Sequence, residues 1–282
     1  MISRGGSEGP AFVVDVHAHL GPPERPGQDG GRLKALLRAM DDAGVDRASV
    51  FASAGRGSDY AKETDLIVQL AHEAAGRIIP FARVHPFWGE DAVADLGRAA
   101  DAGVRGLKLH PFMDGAFLAN DRRLVHPLVR VAADRGLVVL VHSGWAFNSA
   151  PGLVADLARA FPSVPVIMGH SGRYGYHREA AAVGADLSNL HYDVAGLATP
   201  SAVDEIVSLA GPAHVLFGTD HPYSPMGFEL EKVARWTTMP WEETTQVIGS
   251  NASRLLNLDA GVAGPLVRLP REEASKPERG MP

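Results

Sequence analysis

The sequence contains no cysteine. That absence excludes disulfides, thiolate nucleophiles, iron–sulfur clusters and cysteine zinc sites together. Any metal must be held by His, Asp, Glu or a modified Lys. An excess of positive charge is missing too: 27 Lys and Arg stand against 33 Asp and Glu, a net charge of −6. Such a chain offers no electrostatic footprint for nucleic acid. No apolar run approaches the ~18 residues of a membrane span. The first ten residues are polar and glycine-rich and lack the apolar region of a signal peptide, so a cytoplasmic location is expected. What the chain does have is an ordinary globular balance, 45% hydrophobic and 21% charged, and twelve histidines in 282 residues.

Short β-branched runs alternate with Ala-, Leu- and Arg-rich stretches. Strands are predicted at Ala11–His17, Arg47–Ala52, Ile78–His85, Gly106–His110, Leu137–His142, Pro165–His170, Leu190–Val194 and His214–Gly218. Their ends recur every 24 to 35 residues, close to the ~30 of one βαβ step. Helical spacing supports the segments between them. Arg32–Ala43 stops at Gly44, Arg123–Arg135 at Gly136, and Leu153–Ala160 before Pro162. Thr199-Pro200 reads as an N-cap followed by a first-turn proline. The helix before strand six and the region from Tyr223 to Trp241 have no clear pattern. Eight βα units fit either a closed (β/α)8 barrel or an open doubly wound sheet. Strand one ends in Asp15-Val16-His17-Ala18-His19 rather than G-x-G-x-x-G, which favours the barrel, an α/β TIM fold. The expected organisation is a flexible N-terminus at 1–10, one barrel at 11–258 and a tail at 259–282.

Active sites of such barrels lie at the C-terminal strand ends. His17, His85, His110, His142 and His170 each end a predicted strand, His19 follows the first, and Asp220 follows the eighth. Residues two apart on a strand face the same side, so His17 and His19 can chelate one divalent ion. His142, His170 and Asp220 stand at three other ends. Imidazole with carboxylate suits Zn²⁺ first, with Mn²⁺, Fe²⁺ or Co²⁺ as alternatives. Lys108, two before His110, reads as a carboxylated metal bridge, an ammonium that polarises a substrate oxygen, or a partner of an inward acid such as Asp15 or Asp193. Asp193 is placed to orient a ligand histidine. Arg83 and His85 share a face, for support or for substrate. Ser143 and Ser171 lie in His-Ser-Gly, not G-x-S-x-G, which speaks against a serine hydrolase. His72 and His126 fall on helices; His177, His191 and His214 have no pattern behind them. Arg56, Trp145, Arg173, Tyr174, Tyr176 and Tyr223 fall in loops at the same end and are expected to line a pocket for a small, anionic, partly aromatic substrate. Of these, Arg173, Trp145 and Tyr223, with His85, His110 and His221, are the expected substrate contacts.

These marks, with Gly106-Leu107-Lys108-Leu109-His110-Pro111, Gly218-Thr219-Asp220-His221-Pro222 and Asn251-Ala252-Ser253-Arg254-Leu255-Leu256, resemble the metal-dependent amidohydrolase superfamily over essentially all of 11–258. The branch with aminocarboxymuconate semialdehyde decarboxylase and related barrel hydrolases is the nearest in pattern. The resemblance implies a distorted barrel holding one or two divalent ions on His17, His19, His142, His170 and Asp220. It implies catalytic roles for Asp220, His170 and Lys108, and it makes a homodimer plausible. The reaction expected first is hydrolysis of a small amide, lactone or ester. There the metal lowers the pKa of water from ~15.7 to about 7, and Asp220 takes the proton and returns it to the leaving group. The alternatives are a metal-dependent non-oxidative decarboxylase or hydratase on the same site, and a barrel that only binds metal or ligand.

Overall fold

Runs of two to seven mostly apolar residues become strands buried along nearly all their length, as parallel strands covered by helices must be. The computed structural model describes residues 11–21, 29–53, 59–173 and 175–258. The strands are β1 (Val14–Leu20), β2 (Arg47–Ala52), β3 (Ile78–Arg83), β4 (Gly106–Leu109), β5 (Val138–His142), β6 (Val166–Gly169), β7 (Leu190–Asp193) and β8 (Val215–Leu216). They pair in parallel and in sequence order. Backbone bonds bring β8 round to β1: Val16 N–H to Phe217 O at 2.9 Å, Asp220 N–H to His17 O at 2.7 Å and His19 N–H to His221 O at 2.7 Å. The result is the expected (β/α)8 barrel.

Helices α1 (Asp29–Ala43), α2 (Tyr60–Glu73), α3 (Glu90–Asp101), α4 (His126–Arg135), α5 (Pro151–Ala160), α6 (His177–Val183), α7 (Pro200–Ala210) and α8 (Met226–Arg235) follow the strands in turn. Two short ones, α9 (Trp241–Thr245) and α10 (Asn251–Leu255), complete the described chain. Ala252 and Leu256 join the apolar cluster inside the barrel, so α10 plugs its N-terminal end. Thr199 caps α7 as its sequence predicts, its hydroxyl accepting Ala202 N–H at 3.2 Å. Gly136 ends α4 in the left-handed region, φ 64°. α4 starts three residues later than expected because Asp121 Oδ1 accepts the N–H groups of Arg123 and Leu124 and holds them in a turn.

Strand one differs from its expected span in an instructive way. It runs Val14–Leu20 rather than Ala11–His17, because pairing with β2 continues to Leu20 against Ala52. The register shifts between Asp15 and Ala18, a bulge that inserts one residue and resets the alternation. Val14 and Val16 therefore face the lower interior, while His17 and His19 face its upper end. β8 is shorter than predicted, since His214 closes a 3₁₀ turn, Pro212–His214. The expected terminal segments, 1–10 and 259–282, lie outside the described residues.

Candidate metal centre and pocket

The bulge delivers His17 to the barrel axis, and two glycines make room for it. A Cβ at Gly218 would come 2.9 Å from His17 Cβ, and one at Gly169 would come 3.3 Å from its Cε1. His17 Nδ1 lies 2.8 Å from Asp193 Oδ2. Asp193 Oδ1 accepts the N–H groups of His170 and Ala195 at 2.8 and 3.1 Å. A carboxylate accepts, so Nδ1 carries the hydrogen and Nε2 points its lone pair into the centre. Nε2 is 3.4 Å from Asp220 Oδ1 and 2.9 Å from Lys108 Nζ. Lys108 is wholly buried, with Nζ 4.5 Å over the Phe51 ring. Burial pushes its amine down to about 7, against the nearby Asp220 and Asp193 charges.

Asp220 has a left-handed backbone, φ 61°, fixed by its own N–H bond to His17 O. Asp15 braces the same junction, taking Thr219 Oγ1–H at 2.6 Å and the N–H groups of Thr219 and His17. Burial raises the Asp15 carboxyl to about 8 despite those bonds. Burial acts on Asp220 in the same direction, but the His19 hydrogen bond and, when protonated, the neighbouring histidines outweigh it and set Asp220 below the usual carboxylate range. His19 Nε2 is 3.1 Å from Asp220 Oδ1, and its ring lies between Phe51 and Tyr223. His19 Nδ1 is buried with no hydrogen-bond partner.

The two His-Ser-Gly turns place the remaining imidazoles. His170 and Ser171 both adopt positive φ, 65° and 45°, strained for residues with a side chain. The serines hold that turn: Ser171 Oγ–H donates to Asp193 O, Ser143 Oγ–H donates to Gly169 O, and Ser143 Oγ accepts Gly172 N–H. Both hydroxyls are thus committed to backbone, in keeping with the sequence argument against a serine nucleophile. His170 Nε2 is 3.0 Å from His142 Nδ1, and His110 stacks on His142 at 3.8 Å.

Ligand atoms of His17, His170 and Asp220 all lie within 4.8 Å of one another. His19 adjoins this trio through Asp220, and His142 through His170. Burial lowers every one of these imidazoles, His19 to about 4 and His170 to about 3. They are neutral at pH 7, as metal ligands must be. A buried nitrogen and oxygen set without sulfur, with one orphaned imidazole nitrogen, fits a borderline or hard divalent cation.

Above the centre opens a pocket of ≈ 270 Å³. Of the residues expected there, His110, Trp145, Arg173 and Tyr223 line it, beside His19, His142 and Asp220. Met113 lines it too, and no pattern in the sequence marks that residue. Two expected contacts, His85 and His221, and one expected lining residue, Tyr176, sit elsewhere. His85 stacks between Tyr60 and Trp88. His221 contributes its backbone, bonding His19 and Thr219. Tyr176 lines a separate hollow of ≈ 220 Å³ beside Gly144 and Pro151. Arg56 and Tyr174 lie outside the described residues. Arg83 acts in support: it bonds both oxygens of Asp114 and the Ala52 carbonyl and covers the Tyr60 ring. Asp114, which also accepts the Tyr60 hydroxyl, has no sequence signal apart from following His110 by four residues.

A family model described as amidohydrolase matches residues 14–258. No curated protein matches the sequence significantly. Among solved structures, 5-carboxyvanillate decarboxylase from Sphingomonas paucimobilis aligns with a TM-score of 0.69 at 18% identity, covering 89% of this chain and 100% of its own. A 2,6-dihydroxybenzoate decarboxylase bound to 2,6-dihydroxybenzoate gives 0.71 at 17%, covering 88% and 100%. The 5-carboxyvanillate decarboxylase of Novosphingobium aromaticivorans, with manganese and 4-hydroxy-3-methoxy-5-nitrobenzoic acid, gives 0.68 at 14%, covering 90% and 98%. At these identities the likeness is one of fold.

Proposed function

The chain belongs to the amidohydrolase family, and on that premise we propose that it is a metal-dependent, non-oxidative decarboxylase of a small aromatic carboxylic acid. The observation that carries this reading is the pocket. Its walls combine the Trp145 and Tyr223 rings with the Arg173 guanidinium, and its floor is Asp220 and the histidines. A flat ring with a carboxylate matches that lining, and ≈ 270 Å³ suits one ring rather than a long chain. The same three solved structures, decarboxylases by their descriptions, support it over the hydrolysis expected first.

His17, His19, His142, His170 and Asp220 would hold the ion, Zn²⁺ or Mn²⁺. Bound there, it supplies a fixed positive charge that orients a substrate oxygen and offsets developing negative charge. The chain's own groups do the rest. Arg173 binds the carboxylate and the rings fix the plane of the substrate. Asp220 relays a proton from solvent to the ring carbon as the bond to the carboxylate breaks, so that one substrate carboxylate and one proton give the decarboxylated ring and CO2. The electron pair of that bond stays on the carbon and becomes the new C–H bond. Lys108, beneath His17, keeps a positive charge close to the centre when protonated.

The test is an assay of purified, metal-analysed protein on hydroxylated benzoic acids beside a panel of lactones and amides. One CO2 per substrate consumed, with no hydrolytic product, is expected. Turnover of a lactone or amide without CO2 would return the assignment to hydrolysis.

A further inference from the structure

Trp145 makes a hydrogen bond that conflicts with metal at His142. Its indole Nε1–H reaches His142 Nε2 at 3.0 Å. An indole nitrogen only donates, so Nε2 must offer a lone pair. The far end of the same chain of contacts gives the same answer. The Ala195 carbonyl only accepts, so His170 Nδ1, 2.9 Å away, carries a hydrogen. His170 Nε2 then has the lone pair and accepts from His142 Nδ1. His142 is therefore protonated on Nδ1, and its lone pair at Nε2 is taken by Trp145. Donors and acceptors match at every step from Trp145 to Ala195.

A neutral imidazole has a single in-plane lone pair. A cation on Nε2 displaces the indole directly. A cation on Nδ1 forces the hydrogen onto Nε2, where it faces the indole N–H, donor against donor. Ligation through either nitrogen thus breaks the Trp145 bond. Trp145 is also stacked face to face on Phe112, with centroids 4.3 Å apart and planes within 5°. Both rings are partly open to solvent, at 36% and 40% exposure, and Trp145 lines the pocket.

We propose that Trp145 is a positioning residue that competes with the metal for His142, so that loading the centre releases the indole and reshapes the pocket wall it forms with Phe112. This rests on the reading of His142 as a ligand in the proposed function.

The experiment titrates the metal-free full chain with Zn²⁺, which does not quench fluorescence paramagnetically. Tryptophan emission, near-UV circular dichroism and bound metal are followed together. Wild type is expected to show a saturable tryptophan change that tracks bound zinc. Iodide should quench the zinc-loaded protein more strongly than the metal-free one. Trp145→Phe keeps a ring for Phe112 but removes the competing N–H. It should lose the spectral change, leaving Trp88, Trp236 and Trp241 as a constant background, and bind zinc about fivefold more tightly, the equivalent of one ordinary hydrogen bond. Zinc binding by wild type with no change in emission or quenching overturns the inference and leaves the proposed function standing. That result needs no variant, so it holds even if Trp145→Phe does not fold. Absence of zinc binding by wild type overturns the inference, and absence of manganese binding as well overturns the proposed function.

Discussion

Leu140 and His142 stand two positions apart on β5, as Phe81 and Arg83 do on β3. All four side chains point into the barrel. The first of each pair lies in the lower interior, among Val14, Val16, Ile79, Val138, Ile167 and Leu216. The second lies in the upper interior, where His17, Lys108, His170 and Asp193 are as completely buried as any leucine. One end is held by apolar burial, worth about 25 cal/mol per Å². The other gains little from burial, because each buried charge loses its hydration. It persists because nearly every polar atom there has a partner: Asp193 takes three hydrogen bonds and Asp114 takes three. The lower half supplies the stability that lets the upper half keep so many ionisable groups buried.

If the division is real, the two halves should fail in different ways. Asp220→Asn should give the largest effect, lowering turnover by ~10²–10⁴-fold while moving the thermal midpoint by only a few degrees. Steady-state rates and a melting curve on the same preparation check this, and near-normal turnover would remove Asp220 from the chemistry. Leu140→Ala should do the reverse. It should cost about 2–5 kcal/mol of unfolding free energy and leave metal stoichiometry unchanged in the folded protein, as measured by urea titration and elemental analysis. Asp193→Asn tests the join between the halves. Without the carboxylate that orients His17, metal affinity should fall by ~10–100-fold with a smaller effect on folding. Calorimetric metal titration that gives the wild-type affinity would make Asp193 a purely structural group.

The sequence makes the regular half of this architecture legible and the irregular half only partly so. Hydrophobic period and the recurrence of strand ends mark eight strands, because burial on both faces demands apolar runs whatever their partners. The strand-end histidines stand out because a barrel concentrates polar side chains at one end. Three features escape for physical reasons. The bulge in β1 is set by pairing with β2, not by residues 14–20 alone. The Asp114–Arg83–Tyr60 cluster joins residues far apart in sequence, with no spacing to announce it. His85 and His221 sit at strand ends like the others, yet backbone direction after the strand turns one toward Tyr60 and Trp88 and leaves the other to bond through its main chain.

Histidines at opposite ends of the barrel offer the smallest and sharpest comparison. His191 stacks on His214 at 5.4 Å near the lower opening, and His191 Nδ1 is buried without a partner. Burial pushes His191 to about 4, with the His214 charge adding to the effect, and burial pushes His19 at the upper end to the same value. Unfolded, both would titrate near ~6.5. Between those values the unfolded chain binds protons that the folded chain does not, so stability rises with pH across this window and is lost as pH falls toward 4. Each such histidine contributes up to about 1.4 kcal/mol per pH unit. Adding Zn²⁺ should steepen the acid loss through the upper histidines alone, because protons compete with the ion for them. His191→Gln should flatten the slope by one histidine's share, equally with and without zinc. Urea midpoints between pH 4.5 and 6.5 for both proteins would show it. An unchanged slope in the variant would place the acid sensitivity wholly in the upper half, and a zinc-dependent change would mean that the two ends are coupled after all.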